Sequence, residues 1–482
     1  MAKTIVVNVT PEETRMALLE DGDLAEVSIE RTHSGHIVGN IYKGKVQNVL
    51  PGMQAVFTDI GRDRNAFLYV GDLSGGQRGK GEKMTVGREL IVQVAKDAIG
   101  SKGPRLTTHL TLPGRYVVLM PTVKFLGVSR RIAAAEERKR LKEVAGKVCP
   151  QGMGLVVRTV AEGRSEDDLR KDCEYLVNLW QTLTARAKLA KAPALLYRDV
   201  DLLIRIVRDY FGPTVEKLVI DNREAHSRVV ELVKVVSPEL LPRLELYQGE
   251  EIFGHYGIEQ QLEKLSERRV NLPCGGYIII DRTEALTVID VNTGKFVGKT
   301  RLADTVFAAN LEAAAEIARQ IRLRDIGGII IADFIDMDRD QHKQAVLAAL
   351  TEHLKKDRTR TNVVGLTGLG LVEMTRKKVR QDLATVLQAE CPCCGGRGYV
   401  RSPETVAITV RRQLRAVAKG QTGTGRLLVQ VHPRVAEVLK RPGELEALAK
   451  ELARPLAVEP VASMDAEAYS VLQTKDQGKP HE

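Results

Sequence analysis

The stretch ALTVIDVNTG, residues 285–294, pushes a carboxylate to the tip of what reads as a core strand. Four of the five residues from Leu286 to Asp290 are apolar or β-branched, and Asp290, Asn292 and a Thr-Gly turn signal close the run. Further on, IIIADFIDMD has the same shape, a buried strand ending in acids of which Asp333 is the first. Two carboxylates brought together repel, and one pKa rises unless a cation sits between them. Oxygen ligands with Asn292 nearby suit a hard divalent ion, magnesium or else manganese. Magnesium held by one or two protein carboxylates keeps positions for water and a phosphate oxygen. It can polarise a phosphoryl group and activate a water, which is phosphodiester hydrolysis. In the competing reading, Asp290 and Asp333 cap turns or pair with Arg282 or Arg324, and spacing does not choose between the two. Asp336 and Asp338 read as supporting or solvated acids.

The elements that must position this pair are legible. GGYIIIDRTEALTVIDVN reads as two antiparallel strands joined by a short turn. An Ala- and Leu-rich helix follows, with Gly327 as its stop, and then the strand that ends at Asp333. A strand, a helix and a strand in this order favour a right-handed crossover. The flanking strands then run parallel, with both acids at the carboxyl edge of one sheet, where ligands of open α/β sheets bind.

Elsewhere KTIVVNVT and LAEVSIER read as strands, with PEETRMALLE between them as a helical insert. About five short strands between residues 40 and 110 suggest a small barrel. Phe57 and Phe67 lie on neighbouring strands there, with Tyr42, Lys43, Lys45, Lys96 and Lys102 around them. That is the mixture an OB-type barrel uses on single strands, aromatic faces for bases and cations for backbone; the alternative makes both rings core. From Tyr116 to Asp199 strands alternate with two amphipathic helices, the second capped by Ser165. GLVVRTVAEG sets Arg158 and Thr159 directly after an apolar strand, a guanidinium beside a hydroxyl that can clamp phosphate or simply end a strand. Residues 402–464 alternate helix and strand again, and the last dozen or so read as a loose tail.

A net charge of +10 over 482 residues favours an anionic partner, nucleic acid before an acidic membrane surface. No run approaches a membrane span, and MAKTIVVNVTPEE has no signal-peptide core, so a cytoplasmic location is the default. Cys149, Cys173 and Cys274 are scattered free thiols rather than a disulfide framework, whereas CPCCGGRG groups the other three cysteines.

NIYKGKV, SRRI, VRT, IDVNTGKFVG, NLEAAAEIARQIRLRDIGGIIIADFIDM, GLVEMTRK and CPCCGGRG occur in an order that resembles the ribonuclease E/G family over nearly the whole chain. The form DVNTGKFVG and the short length are most like its ribonuclease G branch, without a C-terminal scaffold region. The resemblance implies an α/β multidomain chain. Residues 1–38 and 201–268 would be an RNase H-like subdomain, interrupted by an OB fold at 39–112 and a 5′-phosphate sensor at 113–200. A DNase I-like catalytic subdomain at 269–388, a zinc knuckle at 389–401 and a small C-terminal α/β domain with its tail at 402–482 would follow. The implied activity is endonucleolytic cleavage of single-stranded, A/U-rich RNA with a preference for 5′-monophosphate ends, leaving 5′-phosphate and 3′-hydroxyl products. The implied substrates are messenger RNA and ribosomal RNA precursors.

Position by position, the resemblance makes Asp290 and Asp333 magnesium ligands and Asn292 their support. Phe57, Phe67 and Lys102 become an RNA-binding face. Arg158, Thr159 and Arg360 become the 5′-phosphate pocket, with Arg130 and Arg131 a basic pair beside it. Cys391 and Cys394 would share one structural zinc with a second chain, because a tetrahedral site needs four ligands and C-x-x-C supplies two. That makes the expected state a homodimer, with tetramers left open. Cys393 offers a third thiol, and Ala332 stands where a bulkier aliphatic is expected. No thioredoxin-like context is legible around this C-x-x-C. The rival from another class is a non-catalytic RNA-binding dimer whose acids only cap the sheet.

Overall fold

Three antiparallel strands open the chain, Lys3–Val9, Glu13–Glu20 and Asp23–Arg31. The second corrects the expected helical insert. Its Met16 and Leu18 enter one apolar cluster and its Ala17 and Leu19 another, on opposite faces of the sheet. A strand buried on both sides reads as an unbroken apolar run, which periodicity cannot tell from a buried helix. The computed structural model describes residues 2–32, 37–72, 84–98, 102–199, 201–294, 302–378, 381–420 and 425–474. The chain divides into two compact units between Leu387 and Gln388.

In the first unit, Lys217–Ile220 and Leu244–Leu246 return to extend the opening sheet in parallel, giving five strands. Ile41–Leu50, Ala55–Asp59, Ala66–Tyr69, Arg105–Thr107 and Glu89–Lys96 form a five-stranded barrel, closed by pairing of the first with the last. Ala194–Tyr197, at the far end of the expected sensor segment, pairs with Ile41–Lys43 of this barrel. A four-stranded sheet between residues 112 and 157 packs against the helices Ala135–Val148 and Glu166–Leu189. Ser165 and Asp168 form a capping box at the start of the second helix.

A six-stranded mixed sheet carries the two acids, in the order Arg269–Asn271, Tyr277–Arg282, Leu286–Asn292, Gly328–Asp333, Leu371–Arg376, Thr361–Leu366. The helices Leu302–Leu323 and Asp340–Leu354 cover one face. Ile289, Ile330, Ala332, Val372 and Met374 meet Ala313, Ile317, Val346 and Leu350 there. Ala332, fully buried beneath the helices, fills its place in this layer without a larger side chain. Gly327 is not the expected helix stop. Asp325 takes the left-handed turn, with φ +50°, while a Cβ on Gly327 would lie 2.9 Å from the Lys378 Cα. Close backbone approach, rather than helix ending, fixes that glycine.

The cores within this unit are shared. Ile41, Leu112 and Leu196 belong to one cluster, and Leu24, Phe253, Leu323 and Leu383 to another. Arg322, almost fully buried, donates from Nε to Glu26 (2.6 Å) and from both Nη atoms to Glu20 (2.9 and 3.0 Å). Burial pushes the Glu20 carboxyl up, but Arg322, with Lys3 behind it, outweighs burial and holds it at about 2.

In the second unit, the strands Arg426–Val431, Leu456–Pro460 and Tyr469–Thr474 form a three-stranded sheet. The helices Pro403–Gly420, Pro433–Leu439 and Glu444–Leu452 pack against it. Tyr469–Thr474 pairs along its length with Arg426–Val431, so the loose tail expected from about residue 471 is in part a strand. Residues 475–482 lie outside the described residues.

Candidate active site

Asp290 and Asp333 are direct cross-strand partners, with Leu286–Asp290 parallel to Ile329–Asp333. Adjacent strands lie about 4.8 Å apart, so the carboxylates emerge side by side. Residues 287, 289 and 291 face the helices, and alternation puts Asp290 and Asn292 on the open face with Asp333. Both acids are exposed. Asn292 Nδ2 donates to Asp290 Oδ2 at 2.7 Å. Burial, the neighbouring Asp290 and then Asp336 push the Asp333 carboxyl above the ordinary range.

The pairings that would have made these acids structural are made elsewhere. Arg282 binds Asp382, and Arg324 donates to Gln320 and to the Glu267 carbonyl. Among the described residues neither acid has an arginine or lysine partner. A close pair of exposed carboxylates with a raised pKa and an amide holding one of them fits a hard divalent cation. Among the described residues no three His, Cys, Asp or Glu side chains converge.

Two features fix this edge. Gly294 has φ +58°, and a Cβ there would lie 2.6 Å from the Gly275 carbonyl, so only glycine closes the turn after Asn292. Residues 295–301, the rest of the GKFVG motif and beyond, lie outside the described residues. Asn310 is fully buried and clamps the chain beyond Asp333. It donates to the Ile335 carbonyl (2.8 Å) and accepts from the Ile335 amide (3.1 Å). Sequence reasoning passed over Asn310 as one polar residue in an Ala-rich helix.

On the barrel, Phe57 and Phe67 stand opposite each other in register, centroids 6.1 Å apart and edge to face. Val56, Ala66 and Leu68 fill the interior, so both half-buried rings project outward rather than into the core. Lys102 is exposed, and Arg105, missed in the sequence, pairs in register with Phe67. Tyr42 belongs instead to the barrel core, and Lys43 is committed to Glu89 (2.8 Å) and the Ala190 carbonyl (2.8 Å).

Arg158 follows the strand Gly154–Val157 and is held from two sides. Nη1 donates to the Gly114 carbonyl (2.6 Å) and Nη2 to the Asp209 carboxylate (2.5 Å). The Thr159 hydroxyl lies 2.8 Å from that of Ser129. Arg131 donates to the Asp357 carbonyl and Arg358 to the Asp209 carbonyl (2.6 Å), which brings the 357–360 loop, with exposed Arg360, beside this cluster. Arg130 is exposed. Asp209, Ser129 and Asp357 carried no signal of their own in the sequence.

In the second unit, the Cys391 sulfur accepts hydrogen bonds from the Cys394 and Cys393 amides and from the free Cys394 thiol, which lower its pKa. The Gly395 amide donates to the Cys391 carbonyl (2.8 Å), and Gly395 and Gly396 both have positive φ. A turn whose amides face a sulfur favours the thiolate that a metal takes.

A carboxylate pair fit for a divalent cation, an aromatic and basic barrel, and an arginine cluster are the equipment of an enzyme that acts on nucleic acid. Residues 111–379 match the ribonuclease E/G family, and residues 390–474 match a domain described as RNase E/G, thioredoxin-like. The second match corrects the expectation of no thioredoxin-like context; the cysteines precede the domain's first helix, and its three short strands carry little signal. The chain is 44% identical to ribonuclease G of Escherichia coli, over 91% of this chain and 93% of that one. It is 45% identical to ribonuclease G of Haemophilus influenzae, over 86% and 87%. It is 41% identical to ribonuclease E of Nostoc sp., over 84% of this chain and 60% of that one. The chain belongs to the ribonuclease E/G family.

Proposed function

We propose that this endoribonuclease of RNA processing cleaves single-stranded, A/U-rich RNA by magnesium-dependent hydrolysis and prefers 5′-monophosphate ends. The observation that carries the reading is the in-register pair Asp290 and Asp333, exposed together and unneutralised among the described residues. Those two carboxylates would hold the cation, magnesium or else manganese, and Asn292 would keep Asp290 turned toward it. When bound, the ion polarises a phosphodiester and activates water. Phe57 and Phe67 would stack bases, which every base accepts, while Lys102 meets the backbone. Arg158 and Thr159 would take the 5′-phosphate, with Arg360, Arg130 and Arg131 nearby. The A/U preference, the 5′-phosphate and 3′-hydroxyl products, the roles in ribosomal RNA maturation and messenger decay, and the cytoplasmic setting rest on the family resemblance.

A short fluorescent A/U-rich RNA with a 5′-monophosphate or a 5′-hydroxyl, given magnesium or EDTA, tests the core of this reading. Magnesium-dependent cutting, faster on the monophosphate, is the expected result. Tight binding without cutting would return the protein to the RNA-binding class. We place zinc on Cys391 and Cys394, shared between two chains as a dimer clamp. The double change Cys391→Ser, Cys394→Ser should release zinc and give monomers, whereas Cys393→Ser should keep both. A dimer that survives the double change on sizing would count against the shared knuckle.

A further inference from the structure

Asp209 lies outside the segment that carries Arg158 and Thr159, in a wide helical turn at Ile206–Tyr210 that follows the helix Leu202–Arg205. Its side chain is half-buried and meets two arginines. Arg208 spans it from Nε to Oδ1 (3.1 Å) and from Nη2 to Oδ2 (2.9 Å), and Arg158 Nη2 reaches Oδ1 (2.5 Å). Its backbone carbonyl accepts from Arg358, whose guanidinium also lies 4.2 Å from the Tyr210 ring. We propose that Asp209 is a positioning residue for 5′-end selection, one that sets the Arg158 guanidinium and joins it to the 357–360 loop. The inference rests on Arg158 and Thr159 forming the 5′-phosphate pocket.

The charge arithmetic favours positioning over competition. Asp209 stands among Arg158, Arg208 and Arg358, and Asp199 also lies near Arg208, so the three guanidiniums still outnumber these two carboxylates. Arg208 takes both carboxylate oxygens, which leaves Asp209 little charge with which to repel an incoming phosphate. Arg158 spends one hydrogen on Gly114 and one on Asp209. A guanidinium has five, so three donors of a side chain already fixed in direction remain for an anion. A preset fork loses less freedom on binding than a loose one.

The same residue ties the pocket to the catalytic sheet. Arg358 follows Asp357, and Asp357 is held by Arg376 Nε (2.6 Å), which also binds Asp325 (2.5 Å) from Nη1. Arg376 ends the strand Leu371–Arg376, whose other end pairs Leu371 with Asp333. Arg158, Asp209, Arg358, Asp357 and Arg376 therefore form one bonded series from the pocket to the strand beside Asp333. The sensor is built from three stretches of chain rather than one.

The test compares the kcat/KM ratio for 5′-monophosphate over 5′-hydroxyl RNA in the wild type, Asp209→Asn, Asp209→Glu and Arg358→Gln, all in the full chain. Asp209→Asn keeps shape and removes the charge. It should lower the ratio about ten-fold, through KM on the monophosphate substrate, as expected for loss of a charge-assisted bond. Asp209→Glu should restore part of the ratio, and Arg358→Gln should lower it less than Asp209→Asn does. If Asp209→Asn fails to fold, the Glu and Gln variants carry the test. A ratio that stays at or above the wild-type value in all three variants overturns the proposal. A wild-type ratio of one sinks the pocket reading itself, and with it this proposal.

Discussion

Carboxylates in this molecule live in two kinds of place. Glu20 and Glu26 on the opening sheet share the buried Arg322, and Asp357 and Asp325 share the buried Arg376. Asp290 and Asp333 stand beside each other on an open face with only Asn292 bonded to either among the described residues. The electrostatics split accordingly. Glu20 is held far below the usual range, while Asp333 is pushed above it. Acids that hold the fold together carry their own cation. Acids proposed to do chemistry leave the charge for a cation from solution.

The contrast can be broken from either side. Arg322→Met would take Glu26 from its arginine and leave Glu20 to Lys3, and breaking a buried pair costs about 3–5 kcal/mol, so the urea midpoint should fall steeply. Adding Glu20→Gln and Glu26→Gln should recover much of the loss. A midpoint unmoved by Arg322→Met would remove Arg322 as the tie between its helix and the opening sheet. At the open edge, Asp333→Asn should cut cleavage by at least about a hundred-fold, more than loss of an outer support costs, yet leave folding stability unchanged or slightly raised. A clear loss of stability there would mean that the pair is structural after all. The smallest effect is in pH. Glu20 has a depressed pKa, so its contribution is complete above its unfolded value of 4.5 and fades as pH falls toward about 2. Replacing Glu20 by Gln should flatten the stability profile in that window and nowhere else.

How far the sequence carried the fold depended on how many residues had to agree. The two acids were found together because a strand, a crossover helix and a strand allow few arrangements, and register then put Asp290 opposite Asp333. The barrel rings were placed on neighbouring strands, but only alternation against Val56 and Leu68 showed that they face outward. Glu13–Glu20 was misread because a two-sided core erases the period that separates strand from helix. Asp209 was invisible because its meaning comes from Arg158, 51 residues away in the chain, and from Arg358, 149 away. Nothing local marks a residue whose partners arrive from distant stretches of the chain.

The opening sheet also sets a schedule for making the protein. Lys3–Val9 needs Lys217–Ile220 beside it, and the barrel strand Ile41–Leu50 takes Ala194–Tyr197 as a neighbour. At about 5–20 residues per second, a ribosome takes roughly ten to forty seconds to deliver the missing strand of the first sheet. Throughout that interval Ile5, Val7, Met16 and Leu18 have no Leu218, Ile220 or Val229 to cover them. The nascent chain therefore presents an unfinished apolar sheet to the cell long before it presents an enzyme. Slower elongation through the first two hundred or so codons would lengthen that exposure, and a chaperone that covers strand edges would be needed most at that stage.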